Sequence, residues 1–287
     1  TYASAARAYV EQMRRIRTLR TSGTLPVFPK RYNSRLGWLT RYGCIAAIRV
    51  LEQIPGKKDW VRRLNIPDFL NGRGDDSVVT VIKSVGSLAR MRLYLEAVPE
   101  SKFILIIRHP CGFISSVLRG QETGNMESST PIGGLAESDP GKRHGLTHEY
   151  LANTGPVERL AWVWMLLNEL ALDNNYNPER FKLVRYEDLC ESPIDRSKEL
   201  FEFSGLDWDE QTERFLERST SGPSDARYFS VIRDPRSTAN RWQKEMSLDD
   251  IATVEKIVAD SQPGKLFFGE CPVKQKSSVI APEQPSS

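Results

Sequence analysis

A chain of 287 residues is long enough to bury a full core, as one large domain or two small ones. Its 39% apolar and 27% charged residues are those of a globular protein, and a net charge of +3 is too weak to argue for nucleic acid, although it suits a small anionic ligand. Four scattered cysteines, Cys44, Cys111, Cys190 and Cys271, exclude a close-spaced zinc set or a dense disulfide framework, and no apolar run approaches the roughly 20 residues of a membrane span. With no secretory signal visible, the expected location is the cytoplasm.

Ala3–Arg20 reads as a basic amphipathic helix, with Ala6, Val10, Met13 and Ile16 on one face. Thr24–Phe28 has the composition of a short strand broken by Pro26. A helix is expected from Ser34 to Gln53, with a stripe of Leu36, Leu39, Cys44, Ile45, Ile48 and Leu51. Gly72–Asp76 is a polar loop, Val78–Ile82 a buried strand, and a helix then runs to about Val98. The apolar run Phe103–Ile107 predicts a second strand, buried on both faces, and the unit is a right-handed parallel crossover.

That strand stops at Arg108, and Pro110 and Gly112 predict a turn, with Ser115 and Ser116 near the start of the next helix. A cation at a strand's carboxyl end, followed by hydroxyls at a helix start, suits an anion. Equally open is a bland reading, in which Arg108 caps a loop or pairs with a surface acid. Gly120–Gly155 is irregular, and such a long segment is usually functional or mobile. Pro156 opens a helix with a stripe of Val157, Leu160, Ala161, Trp164, Leu167 and Ala171, in which both Trp162 and Trp164 read as core. Phe181–Val184 is a third strand. Helices are expected from Ser192-Pro193 to Gly205, over Asp209–Arg218, and from Ser247 to about Ala259, with a loop over Ser219–Ala239. Residues 1–271 are expected to form a single domain, best supported over 78–260, with a disordered tail at 272–287.

The chain has no Gly-x-x-x-x-Gly-Lys-Ser/Thr loop, no Gly-x-Gly-x-x-Gly after a strand, no His-Glu-x-x-His and no Gly-x-Ser-x-Gly. Ordinary nucleoside triphosphate, dinucleotide and metal sites are therefore not expected. Cations and hydroxyls at strand ends remain: Lys83 with Ser84, Arg108 with Ser116, and Arg236 and Arg241 in a late loop. A phosphate monoester is a near-dianion that an arginine fork and a serine hydroxyl can grip together.

Arg108 followed eight positions later by Ser116, after a buried strand, resembles the 3′-phosphate-binding motif of sulfotransferases. Leu183-Val184-Arg185-Tyr186-Glu187-Asp188-Leu189, followed by Pro193, is similar to that family's Tyr-Glu-Asp-Leu strand and the helix after it. Arg241-Trp242 resembles the family's late basic loop. The resemblance implies an α/β fold of three layers, with a mostly parallel central sheet flanked by helices, like that of P-loop NTPases. It implies 3′-phosphoadenosine-5′-phosphosulfate (PAPS) as co-substrate, no metal, and in-line sulfuryl transfer to a hydroxyl or amine of a small-molecule, carbohydrate or protein acceptor. Arg108 and Ser116 would hold the 3′-phosphate, Arg236 or Arg241 would lend charge, and Lys83 would lie near the sulfuryl group. Tyr186, Glu187 and Asp188 would support the architecture behind the site.

Two positions depart from the family pattern. Val85 stands two residues after Lys83, where cytosolic members carry a base histidine, so no residue is named as the base; His144, His148, Glu122 and Glu127 are the titratable groups of the irregular segment that come into question. The phosphosulfate loop should follow a first strand, yet in Phe28–Ser34 Tyr32 fills the glycine position. Either Lys30–Ser34 is a degenerate form of the loop, or the true loop lies upstream of Thr1 in a longer chain, which the absent starting methionine and Tyr32 favour and which could also carry a Golgi anchor. A non-catalytic relative that keeps only a 3′-phosphate pocket is the competing reading, and a kinase is disfavoured by the absent Lys-Ser/Thr loop.

Overall fold

The structure, a computed structural model, describes residues 2–15, 34–56, 58–61, 63–66, 79–127, 132–172, 176–221 and 234–269. The expected strand at Thr24–Phe28, the loop at Gly72–Asp76 and the tail at 272–287 lie outside these residues. The chain divides into two compact units, Thr1–Gly86 with Glu96–Val98, and Ser87–Leu95 with Pro99–Ser287.

The first unit contains α1 (Tyr2–Arg15), α2 (Arg35–Leu51) and α3 (Lys58–Val61). Ser34 starts α2 as the spacing predicts, its hydroxyl accepting from the Gly37 amide at 3.1 Å. The buried face of α2 is rotated from the expected stripe: Gly37, Arg41, Ile45 and Ile48 point inward, while Leu36 and Leu39 are 75% and 56% exposed. Ile45 and Ile48 pack with Val61 and Ile66 in a small core. Residues 79–82 are described and belong to no strand, with Val79 and Val81 exposed. The expected 78–82 strand and its crossover are therefore not formed there; a β-branched run becomes a strand only where a neighbour completes its ladder.

The second unit begins with a single 3₁₀ turn at Leu88–Arg90 and the Met91–Leu95 part of α4 (Met91–Ala97), followed by β1 (Phe103–Ile107), α5 (Pro110–Glu122), α6 (Asp139–Arg143), α7 (His148–Asn153) and α8 (Pro156–Leu172). β2 (Phe181–Arg185), α9 (Tyr186–Glu191), α10 (Pro193–Ser204), α11 (Glu210–Ser221), α12 (Pro235–Asn240), α13 (Trp242–Glu245), α14 (Leu248–Val258) and α15 (Lys265–Phe268) complete it. β1 and β2 pair in parallel, with Phe103 opposite Phe181 and Ile107 opposite Arg185. The protein is thus a mostly helical α/β chain with a parallel sheet.

Leu105 packs with Met91, Leu95 and Ala171, and Ile107 joins Cys111, Ile114, Leu160, Trp164, Val254 and Val258. Ile104 and Ile106, pointing the other way, are 36% and 51% exposed. β1 therefore alternates in burial among the described residues, instead of being covered on both faces as its apolar run predicts. α8 carries the stripe read from the sequence and crosses behind the end of β1. Arg159 fixes its approach, donating to the carbonyls of Leu151 and Ala152 at 2.8 Å each and of Thr154 at 2.6 Å. Gly205, with φ +70, closes α10 in the left-handed conformation that glycine adopts without strain. Among the described residues no helix is long and apolar enough to cross a membrane.

Candidate functional site

Parallel pairing places the carboxyl ends of β1 and β2 side by side, so Arg108 and Tyr186 leave the sheet as neighbours. The Arg108 guanidinium lies over the Tyr186 ring, 5.0 Å from its centroid, and Nη2 donates to the Thr238 carbonyl of α12 at 3.0 Å. The Arg108 carbonyl accepts from Trp164 Nε1 of α8 at 3.0 Å. Burial lowers the Arg108 pKa from its ordinary value, and Tyr186 and Glu187 act against that shift. Arginine remains a cation under such shifts.

α5 starts at Pro110, where a missing amide hydrogen costs nothing, so Pro110 and Gly112 form the first helical turn and not a connecting turn. Ser115 and Ser116 consequently sit in the second turn. Gly112 has a different use from the one its sequence context suggests. A Cβ there would lie 2.9 Å from Arg108 Nε and 3.3 Å from Trp242 Cδ1, so its bare Cα admits the guanidinium across the helix. Ser116 follows on the same face, four residues on.

His109 precedes α5, and its amide donates to Glu187 Oε1 at 2.9 Å. Its ring stacks on Trp242 at 4.4 Å and 10°, with the edges of Phe267 and Phe268 at 5.3 and 5.2 Å. Burial, then the Arg185 and Arg108 cations, lower its pKa to about 4. An imidazole ordinarily near 6.5 is therefore neutral here. Between pH 6.5 and 4 the unfolded chain binds a proton that the folded chain refuses, so stability is lost as the pH drops through that window and is unaffected above it. The expected loss is about 2–3 kcal/mol by pH 4. Urea unfolding of wild type and His109→Phe from pH 7.5 to 4 measures it; identical pH slopes would remove His109 as the cause.

Glu187 is pushed up by burial and pulled back by the His109 amide and the flanking arginines. Burial raises Tyr186 and Cys111 to about 12, so neither is an ionised nucleophile near neutrality. Among the described residues, buried side-chain atoms without a protein partner include Arg108 Nε, His109 Nδ1, Arg185 Nε and Glu187 Oε2, all at these two strand ends. Buried polar atoms are rarely left so; two of these are nitrogens of arginine cations, which favour an anionic ligand, and the same two cations offset the Glu187 carboxylate beside them. Such a ligand fits the residues present.

The other expected site residues are distributed as follows. Arg236 is exposed on α12 and donates to the Glu191 carbonyl at 3.0 Å, while Thr238 of the same helix reaches Arg108. The late segment expected as a loop is therefore helical over Pro235–Asn240, with Asp234 as its cap, accepting from the Arg236 and Ser237 amides. Arg241 directly precedes α13, with Nε 3.9 Å from Glu245 Oε1. Lys83 is exposed in the first unit. Of the possible bases, His144 Nε2 lies 3.1 Å from the buried carboxylate of Glu169, which Arg143 also meets at 3.5 Å. Glu169 follows Trp164 by five residues, about 140° around α8, so this cluster lies on the face away from Arg108. His148, Glu122 and Glu127 are exposed. Among the described residues no three His, Cys, Asp or Glu are grouped to hold a metal ion.

Sequence reasoning missed Thr238, Trp242's stacking role and Glu245, since each meets its partner across more than a hundred residues. The one available signal was helical spacing, with Ser115 and Arg119, and Arg241 and Glu245, each four apart.

The sulfotransferase family profile matches residues 2–210, well over half of the chain. Carbohydrate sulfotransferase 1 of Rattus norvegicus is 32% identical over 75 residues, 25% of this chain and 18% of that protein. Carbohydrate sulfotransferase 1 of Danio rerio is 33% identical over 81 residues, or 27% and 19%, and carbohydrate sulfotransferase 5 of Mus musculus 31% over 83 residues, or 28% and 21%. These alignments span about a fifth of the relatives' length. The sulfotransferase domain from the curacin biosynthetic pathway aligns over 61% of this chain and 60% of its own, at 19% identity and a TM-score of 0.37. On the profile match, the chain belongs to the sulfotransferase family.

Proposed function

We propose that the chain binds PAPS through its 3′-phosphate at Arg108 and serves sulfuryl transfer to a carbohydrate hydroxyl. The observation that carries this reading is the Arg108 guanidinium at the end of a parallel strand, folded over the first turn of α5 at Gly112 and held there by the Thr238 carbonyl. When bound, the donor supplies a sulfuryl group already activated for transfer. Arg108 grips the phosphate through its planar fork, and Ser116 adds a hydroxyl from the same face of α5. Arg241 and Arg236 add positive charge from the late segment. The carbohydrate acceptor is suggested by the names of the relatives.

Calorimetric titration with adenosine 3′,5′-bisphosphate, beside adenosine 5′-monophosphate, tests the donor site. Saturable binding is expected for the first, and at least about tenfold weaker binding for the nucleotide lacking the 3′-phosphate. Folded protein that ignores the 3′-phosphate would overturn the assignment. Binding without sulfated product from any carbohydrate acceptor would instead support the non-catalytic reading, which Tyr32 in the glycine position favours.

Gly112→Ala separates site geometry from stability. Alanine is the better helix former by about 1 kcal/mol, which offsets the Arg108 contacts its Cβ disturbs, so the melting temperature should stay close to wild type. Its Cβ displaces Arg108, so bisphosphate affinity should fall about tenfold. Unchanged affinity would mean that the guanidinium does not need its groove over residue 112.

A further inference from the structure

Glu245, the last residue of α13, is gripped by a helix more than a hundred positions earlier in the chain. Ser115 Oγ donates to Oε2 at 2.5 Å, and Arg119 Nη1 donates to Oε1 and Oε2 at 2.8 and 2.6 Å. Ser115 is buried, and it shares a stripe of α5 with Arg119, beside the stripe of Gly112 and Ser116 over which Arg108 lies. At the other end of α13, Trp242 stacks on His109 and touches the Gly112 site. A helix of four residues cannot hold itself together. Its position along α5 is fixed by these two attachments, an aromatic stack at one end and a shared carboxylate at the other.

We propose that Glu245 is a positioning residue of the anion site. By fastening the end of α13 to α5 it holds Arg241, whose Nε is 3.9 Å from Oε1, and the preceding α12, whose Thr238 carbonyl orients Arg108. Two cations facing one carboxylate resemble a phosphate subsite. The carboxylate leaves the second unit's late segment docked before any ligand arrives, which removes an ordering cost from binding. The proposal rests on the phosphate-site reading of Arg108.

Two measurements separate them. Hydrogen exchange of residues 235–246 in ligand-free protein reads docking alone, and titration with adenosine 3′,5′-bisphosphate reads the site. Glu245→Ala is expected to speed exchange in that segment and weaken the nucleotide about tenfold. Glu245→Gln keeps an acceptor oxygen for Ser115 and Arg119, and should stay within about threefold of wild type on both. Arg119→Gln serves as a second variant should Glu245→Ala fail to fold, with the same direction expected on both readouts. Unaltered exchange in Glu245→Ala, or tighter nucleotide binding because the carboxylate merely competes with phosphate, would overturn the proposal. Wild-type protein that ignores the nucleotide, while exchange still depends on Glu245, would overturn the site reading and leave the docking role standing.

Discussion

Arg108→Ala is expected to weaken adenosine 3′,5′-bisphosphate by about 2–4 kcal/mol, roughly 30- to 1,000-fold. The expected size follows from the charge of the ligand and the setting of the side chain. A near-dianion loses a charge-assisted, two-point fork in a site where burial has already removed much of the competing water. Arg108→Lys should recover only part of the loss, because an ammonium keeps the charge but not the planar pair of donors. Neither variant should unfold the protein. Arg108→Ala removes the hydrogen bond to the Thr238 carbonyl and the cation–π pairing with Tyr186, each worth about 1 kcal/mol or less. Calorimetry on both variants, with melting curves alongside, measures this directly. Wild-type affinity in a folded Arg108→Ala protein would remove the phosphate assignment.

The largest stability effect is expected at Trp164. Its side chain is 3% exposed in the core that joins α5, α8 and α14, so Trp164→Ala should cost about 3–5 kcal/mol. The indole also has a second role, its Nε1 donating to the Arg108 carbonyl at 3.0 Å. Trp164→Phe keeps most of the buried area and loses that bond, so about 1–2 kcal/mol is expected, with a weaker anion site as well. Urea denaturation of the two variants separates packing from the hydrogen bond. A Trp164→Ala cost below about 1 kcal/mol would contradict the core position described above.

Much of the second unit was legible in the sequence because its signals are local. The Phe103–Ile107 run, the α8 stripe, Ser247 before Asp250, and Pro193 with Gly205 around α10 each reflect a preference that a few neighbouring residues satisfy. The readings that failed needed a partner the sequence does not display. Residues 79–82 have strand composition and no ladder, Leu36 and Leu39 have helical spacing on the exposed side of α2, and Ile104 and Ile106 are apolar without being covered. Pro110 and Gly112 suggested a turn because both break regular structure in general. At a helix start the proline is tolerated, and the glycine is needed for what lies against it.

By itself the sequence supplied the candidate site residues: Arg108 at a strand end, Ser116 eight positions on and the late arginines, with the Tyr186-Glu187-Asp188 run as the architecture behind them. Each is a residue type at a spacing, and the spacing survives folding. Only the tertiary structure decided how those residues are held. The Thr238 carbonyl, the Glu187 carboxylate, the Trp242 ring and the Glu245 carboxylate reach the end of β1 and the first turns of α5 from 78 or more residues away in the chain. Interactions of that separation arise from packing whole elements together. No local pattern encodes them.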